Sequence, residues 1–274
     1  MYCIATLANK NALYDLKIFL FSLQLWNENN YPDVYIYCDL YVENFLKDNK
    51  LYKGNIFTKS GLEKYSNYDR AAMEKLQGTE FPTLFGDFVC EKMNLMNWIF
   101  ETNESLLFCD ADICFLGPLP EFDVSKKLIL SRHEIRKRDS DKYGIYNAGF
   151  LYVNDKTIPN SWKFYTKHST FFEQKSMENL AEEFEDSLDF FPIQNNYGWW
   201  RLLQGIESIE TLKSKWTIQK TDSHSGILVS GLPLLSIHTH MKTNDAATEY
   251  FNKFVKNFLE KSNKKAKTLL AYFN

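Results

Sequence analysis

The segment Leu106-Leu-Phe-Cys-Asp110-Ala-Asp112-Ile-Cys-Phe-Leu-Gly-Pro constrains this chain more than any other. Leu106 to Cys109 is a short apolar run entered from polar residues, the pattern of a buried strand. Two carboxylates then follow at spacing two, and a Gly117-Pro118 turn closes the segment. Charge beside a core strand is expensive to bury unless a cation or a partner offsets it. In an open α/β sheet the carboxyl end of a strand is also where ligands bind. Asp110 and Asp112, with Ala111 between them, are therefore candidate oxygen ligands for a divalent ion that bridges to phosphate. The plainer reading is a strand-end turn capped by its own carboxylates. The D-x-D pattern alone says little, because Asp139-Ser-Asp141 repeats it among Arg136, Lys137, Arg138 and Lys142 with no strand leading in. That second copy reads as a solvated loop.

Around this segment, strands and helices alternate, which predicts a mostly parallel sheet covered by helices. Cys3 to Leu7 is an apolar strand running into a polar turn, and Leu13, Leu16, Leu20 and Leu23 follow at helical spacing. The strand-to-helix junction Thr6-Leu7-Ala8-Asn9 is a natural nucleotide contact, with backbone amides at a helix start. Val34 to Cys38 is a second strand, and Asp39 at its end is a further candidate contact. No G-x-G-x-x-G accompanies these elements, which argues against a dinucleotide cofactor. A helix is expected around Arg70 to Gln77 and a strongly apolar one from Gly86 to Glu101. In the latter, Lys92 shares a stripe with Val89, Met96 and Ile99; it either snorkels to the edge or meets donor phosphate or sugar.

Later segments supply more candidates. Ile145 to Val153 reads as a strand interrupted at Asn147-Ala148-Gly149, where small residues mark a bulge or let a ligand approach. Asn147 is then placed to hydrogen-bond sugar hydroxyls. Ser161 to about Glu185 reads as one helix with an acidic, solvated face. Phe190 to Arg201 mixes aromatics with the amides of Gln194, Asn195 and Asn196, which suits carbohydrate as well as core packing. Leu234 to Lys242 reads as a strand with His238 and His240 on one face. Those two histidines are candidate metal ligands, and Lys242 a candidate phosphate contact. Asp189, Glu134 and Glu121 are the candidates for a general base.

At 274 residues the chain suits one large domain or two small ones. We divide it as 1–245, carrying the elements above, and 246–274, an amphipathic lysine-rich helix packed on the same domain. No apolar run is long enough to span a membrane. Five cysteines without tight pair spacing fit a reduced, cytoplasmic setting. A net charge of -3 gives no reason to expect nucleic acid as partner.

The order of these parts resembles the GT-A-fold nucleotide-sugar glycosyltransferases, in particular family 8-like enzymes such as glycogenin and the bacterial galactosyltransferases. The resemblance spans Thr6 to Lys242. It rests on Thr6-Leu-Ala-Asn-Lys, the helix with Lys92, Leu-Phe-Cys-Asp-Ala-Asp-Ile, Tyr-Asn-Ala-Gly-Phe, Ile-Gln-Asn-Asn and Ser-Ile-His-Thr-His. It implies a Rossmann-like GT-A sheet, a UDP-sugar donor, and Mn2+ (or Mg2+) held by both aspartates and a late histidine, His238 by position. It further implies catalytic roles for Lys92, Asn147, Gln194 and Asp189, a glycan or glycosylated-protein acceptor, retention at the anomeric carbon, and a homodimer as one assembly. Other classes would use similar parts, a metal-dependent phosphatase among them, although Cys3 to Leu7 holds no nucleophilic aspartate for it. A glycoside hydrolase needs two carboxylates about 5 to 9.5 Å apart and no metal, and a carbohydrate-binding module would bind glycan without turnover.

Overall fold

The computed structural model describes residues 2–242 and 246–273. β1 (Cys3–Ala8) is buried throughout and leads by a single 3-10 turn, capped by the Asn9 side chain, into α1 (Leu13–Trp26). β2 (Val34–Cys38) ends at Asp39, whose carboxylate accepts from the Val42 amide and caps α2 (Leu40–Asp48). After β3 (Ile56–Ser60), the helix expected to Gln77 stops at one turn, α3 (Arg70–Met73); Gln77 instead bridges to Thr83. The Thr83 hydroxyl caps α4 (Leu84–Ile99), which delivers β4 (Leu106–Cys109) and, across a tight turn, β5 (Ile113–Phe115).

β6 (Leu128–Arg132) is followed by α5 (Lys137–Tyr143) and β7 (Tyr146–Val153). The second D-x-D copy is therefore on a short helix rather than in a loop, but solvated as expected: Lys137 pairs with Asp141, and Arg136 with Asp139. The long acidic helix expected over 161–185 is three pieces, α6 (Ile158–Thr166), α7 (Phe172–Lys175) and α8 (Met177–Glu183). Phe172 adopts a left-handed φ of 42°, which no helix of L-residues continues through. The remainder is β8 (Leu188–Phe191), β9 (Tyr197–Gly198), α9 (Trp200–Gln204), α10 (Ile209–Ser214), β10 (Trp216–Ile218), β11 (Ile227–Val229), β12 (Leu232–Pro233), β13 (Ser236–His238), α11 (Ala246–Leu259), α12 (Lys264–Lys267) and α13 (Leu270–Phe273).

The central sheet has the order β3-β2-β1-β4-β7-β6-β8. β7 runs against both of its neighbours, while the other pairings among the described residues of this sheet are parallel. β5, β13 and β9 form a small separate sheet. One apolar layer sets Ile4, Leu107 and Phe150 against α1, the small sheet and α11; the other sets Ala5, Phe108 and Leu151 against α4, α6 and α8. Phe251, Val255 and Leu259 of α11 lie in the first layer, so this helix shares the core of the preceding elements. The boundary expected at residue 245 lies outside the described residues. No helix among the described residues is long and apolar enough to cross a membrane.

Candidate active site

β4 and β5 are separated by Asp110, Ala111 and Asp112, so a core strand of the large sheet turns directly into a strand of the small one. The turn is fixed by backbone alone: Ile113 N donates to Asp110 O at 3.1 Å, Asp110 N to Gly149 O at 2.8 Å, and Thr239 N to Asp112 O at 3.1 Å. β13 lies antiparallel to β5 with His238 opposite Ile113, which carries the His238 ring back over the aspartates. His238 Nε2 is 3.1 Å from Asp112 Oδ1 and 3.7 Å from Asp110 Oδ2. Ligand atoms of Asp110, Asp112 and His238 all lie within 4.8 Å of one another. Two carboxylate oxygens and an imidazole nitrogen form a donor set for a divalent cation.

Gly149 permits this convergence. A Cβ there would meet Asp110 Oδ2 and His238 Cε1 at 2.4 Å each. The interruption expected in β7 takes the form of a bulge in a continuous strand. Its register on β6 shifts between Leu130 and Ser131, and its side chains change faces across Gly149. The close approach and the bulge are thus one feature.

Lys92 does not snorkel; it is 5% exposed. Its Nζ lies 3.1 Å from Ala148 O, 2.9 Å from Glu173 Oε1 and 3.2 Å from Asp110 Oδ1, which uses all three ammonium hydrogens. Burial disfavours the charge, but Asp110 and Glu173 outweigh it and hold the lysine above its ordinary range. The Asp110 side chain stays 30% accessible, so the carboxylate that Lys92 holds on one side is open on the other. Burial pushes the Asp110 carboxyl up, against the pull of Lys92 and His238. Asp112 goes the other way: its burial is overcome by His238 and His240, which hold it well below the carboxylate range.

His240 lies past the end of β13, exposed, with Nε2 3.5 Å from Asp112 Oδ2 and Nδ1 2.9 Å from Asp15 Oδ2. Asp112 and Asp15 push its imidazole up to about 10. Asp15, in the first turn of α1, and Glu173 of α7 both lie at the site and carry no local signal: Asp15 reads as a first-turn acid favoured by the helix dipole, and Glu173 as one acid of the acidic stretch that runs on to Glu185. Lys242 is exposed, its Nζ 4.0 Å over the Tyr14 ring.

The remaining candidates fall into two groups. Asp39, at the end of β2, gathers the segments that follow β1 and β3, accepting from the Lys10 amide at 2.8 Å and from the Ser66 hydroxyl. Thr6, Leu7, Ala8 and Asn9 lead to that edge with their side chains buried, and the Thr6 hydroxyl has no partner among the described residues. Asn147 is buried, its Oδ1 accepting from the amide of Gly149, the residue against Asp110 and His238, at 3.0 Å. Gln194 is buried but turns its amide to Val229 O at 3.0 Å, on the antiparallel β10–β12 sheet. Asp189 is exposed on β8, the outermost strand, three strand positions from β4 and thus roughly 14 Å away across the sheet. Glu134, in a left-handed conformation, is paired with Arg201 at 2.8 Å.

No family model and no curated relative matches the chain. Solved structures do match. The galactosyltransferase LgtC, in complex with donor and acceptor sugar analogues, superposes with a TM-score of 0.58 over 93% of this chain and 94% of its own, at 13% identity. The glycosyltransferase GlyE of Streptococcus pneumoniae TIGR4 gives a TM-score of 0.57 over 99% of this chain and 63% of its own, at 14% identity. Mouse xyloside xylosyltransferase 1 gives 0.50 over 73% and 89%, at 10% identity.

Proposed function

On the GT-A fold that this chain shares with LgtC and GlyE, we propose that it transfers a sugar from a nucleotide-sugar donor, UDP-linked, to a glycan or glycosylated-protein acceptor with retention of anomeric configuration. The observation that carries this reading is the meeting of Asp110, Asp112 and His238 at the carboxyl end of β4. These three residues would hold Mn2+ (or Mg2+), which when bound stabilises the charge gathering on a departing diphosphate. The protein's own part is electrostatic and positional. Lys92 anchors Asp110, Gly149 admits it, and the cationic edge of His240 and Lys242 faces the place where the diphosphate leaves. Asp39 and the segment from Thr6 to Asn9 border the position proposed for the nucleoside. Five cysteines, all free and buried, fit a reducing compartment such as the cytoplasm.

The hydrolase reading is weaker on geometry. Asp110 and Asp112 turn to the same imidazole nitrogen, at 3.7 and 3.1 Å, whereas a hydrolytic pair must straddle a scissile bond. Thermal shift with UDP and Mn2+ together, followed by a panel of sugar nucleotides, tests the proposal. Stabilisation should require both components and should vanish in Asp112→Ala with the fold retained. Full stabilisation of that variant, or release of free sugar with no nucleotide requirement, overturns it.

A further inference from the structure

A buried chain of side chains leads away from the metal-ligand cluster, and backbone groups fix the direction of its hydrogen bonds. His238 Nδ1 lies 3.1 Å from Asn196 Oδ1; Asn196 Nδ2 donates to Asn147 Oδ1 at 2.9 Å; Asn147 Nδ2 lies 3.2 Å from His133 Nε2; and His133 Nδ1 lies 3.0 Å from Gly144 O. All four side chains are buried, at 6%, 2%, 6% and 6% exposure in that order. Rotamers of amides and tautomers of imidazoles are normally ambiguous. Here two main-chain groups remove the ambiguity. Gly149 N–H can only donate, so the Asn147 atom it meets is the oxygen and the amide nitrogen faces His133. Gly144 O can only accept, so His133 carries its proton on Nδ1 and presents Nε2 as an acceptor.

The same logic propagates towards the cluster. Asn147 Oδ1 accepts from Asn196 Nδ2, so Asn196 turns its oxygen to His238, and His238 Nδ1 must carry a proton. That leaves His238 Nε2 as the ring atom facing Asp110 and Asp112.

We propose that His133, Asn147 and Asn196 are positioning residues that set the tautomer and ring orientation of His238, His133 acting through two amides without touching the cluster. The inference rests on the metal reading given above, since an imidazole fixed at one nitrogen ligates through the other. Trp200 holds the two ends of the relay together, its ring edge-on to His133 at 5.2 Å and to His238 at 5.0 Å.

The test combines imidazole 15N–1H correlation spectra of the metal-free full chain with Mn2+ affinity by electron paramagnetic resonance. In the unmodified protein, His238 Nδ1 should bear an exchange-protected proton; an Nε2–H tautomer overturns the proposal without any variant. Asn196→Leu should lose that protection and lower Mn2+ affinity roughly 10- to 100-fold. His133→Phe, which keeps a ring against Trp200, should move both readouts in the same direction. Ser131→Ala removes a buried hydroxyl opposite Asn147 on β6 but outside the relay, and should move neither. Unchanged tautomer and affinity in folded Asn196→Leu and His133→Phe overturn the relay. Should the unmodified protein bind no Mn2+, the metal reading fails while the Nδ1 proton still decides the relay.

Discussion

Single residues in this protein are best understood by what they compensate. Lys92 sits between two carboxylates drawn from different helices and loops, and its side chain is 7% accessible. Removing it leaves Asp110 and Glu173 facing each other without a cation, the costly way to break a buried ion pair. Lys92→Met should therefore lose about 3–5 kcal/mol in denaturant unfolding, and adding Glu173→Gln should recover part of that loss. A loss under about 1 kcal/mol, the range of a surface pair, would show that the charges are not coupled. The sequence made Lys92 visible because a cation stood on an apolar stripe. Its partner Glu173 was not visible, because the two are 81 positions apart and no periodicity links them. The pairing of Asp15 with His240, 225 positions apart, was hidden for the same reason, although His240 itself was legible.

Among the elements, β7 does most to shape the site. Its bulge brings a residue without a side chain against Asp110 and His238, and its reversed direction sends Gly149 to the end of β4 that carries the aspartates. Gly149→Ala should lower Mn2+ affinity at least tenfold in titration, since the new Cβ would meet both Asp110 Oδ2 and His238 Cε1 at 2.4 Å and both must move away, while overpacking costs about 1–3 kcal/mol of stability. An alanine variant with unaltered affinity would mean that the cluster relaxes freely around a methyl group. The alternation of strand and helix was legible because burial imposes its period on the sequence. The direction of β7 was not, since an apolar run reads alike in either orientation. The helix expected over 161–185 ends at Thr166 and resumes only at Phe172, where an aromatic in a left-handed conformation gives none of the warning that glycine or proline would. Strand-end aspartates and the late histidine were legible together because their chemistry is unusual beside apolar runs.

For the whole molecule, the relay ties stability to pH. Burial pulls His133 down to about 4, whereas an unfolded histidine titrates near 6.5. Between those values the unfolded chain holds the extra proton, so stability rises with pH and is lost as pH falls through that window. The full contribution is on the order of 3 kcal/mol. Denaturant midpoints measured from about pH 7 to about pH 4 should fall less steeply in His133→Phe than in the unmodified protein; equal slopes would show that His133 is free to protonate in the fold. The large sheet and the small β5-β13-β9 sheet meet at residues 110–112, and Thr239 passes from that junction to Asn252 of α11 through a 2.7 Å hydrogen bond. Asp110 belongs to the end of the large sheet, Asp112 and His238 to the small one. In mechanical terms the cluster is a rivet hole through overlapping plates. A cation seated there would stiffen the joint between the plates rather than reshape either one, and the slack removed would be felt as slower amide exchange along β13 and α11.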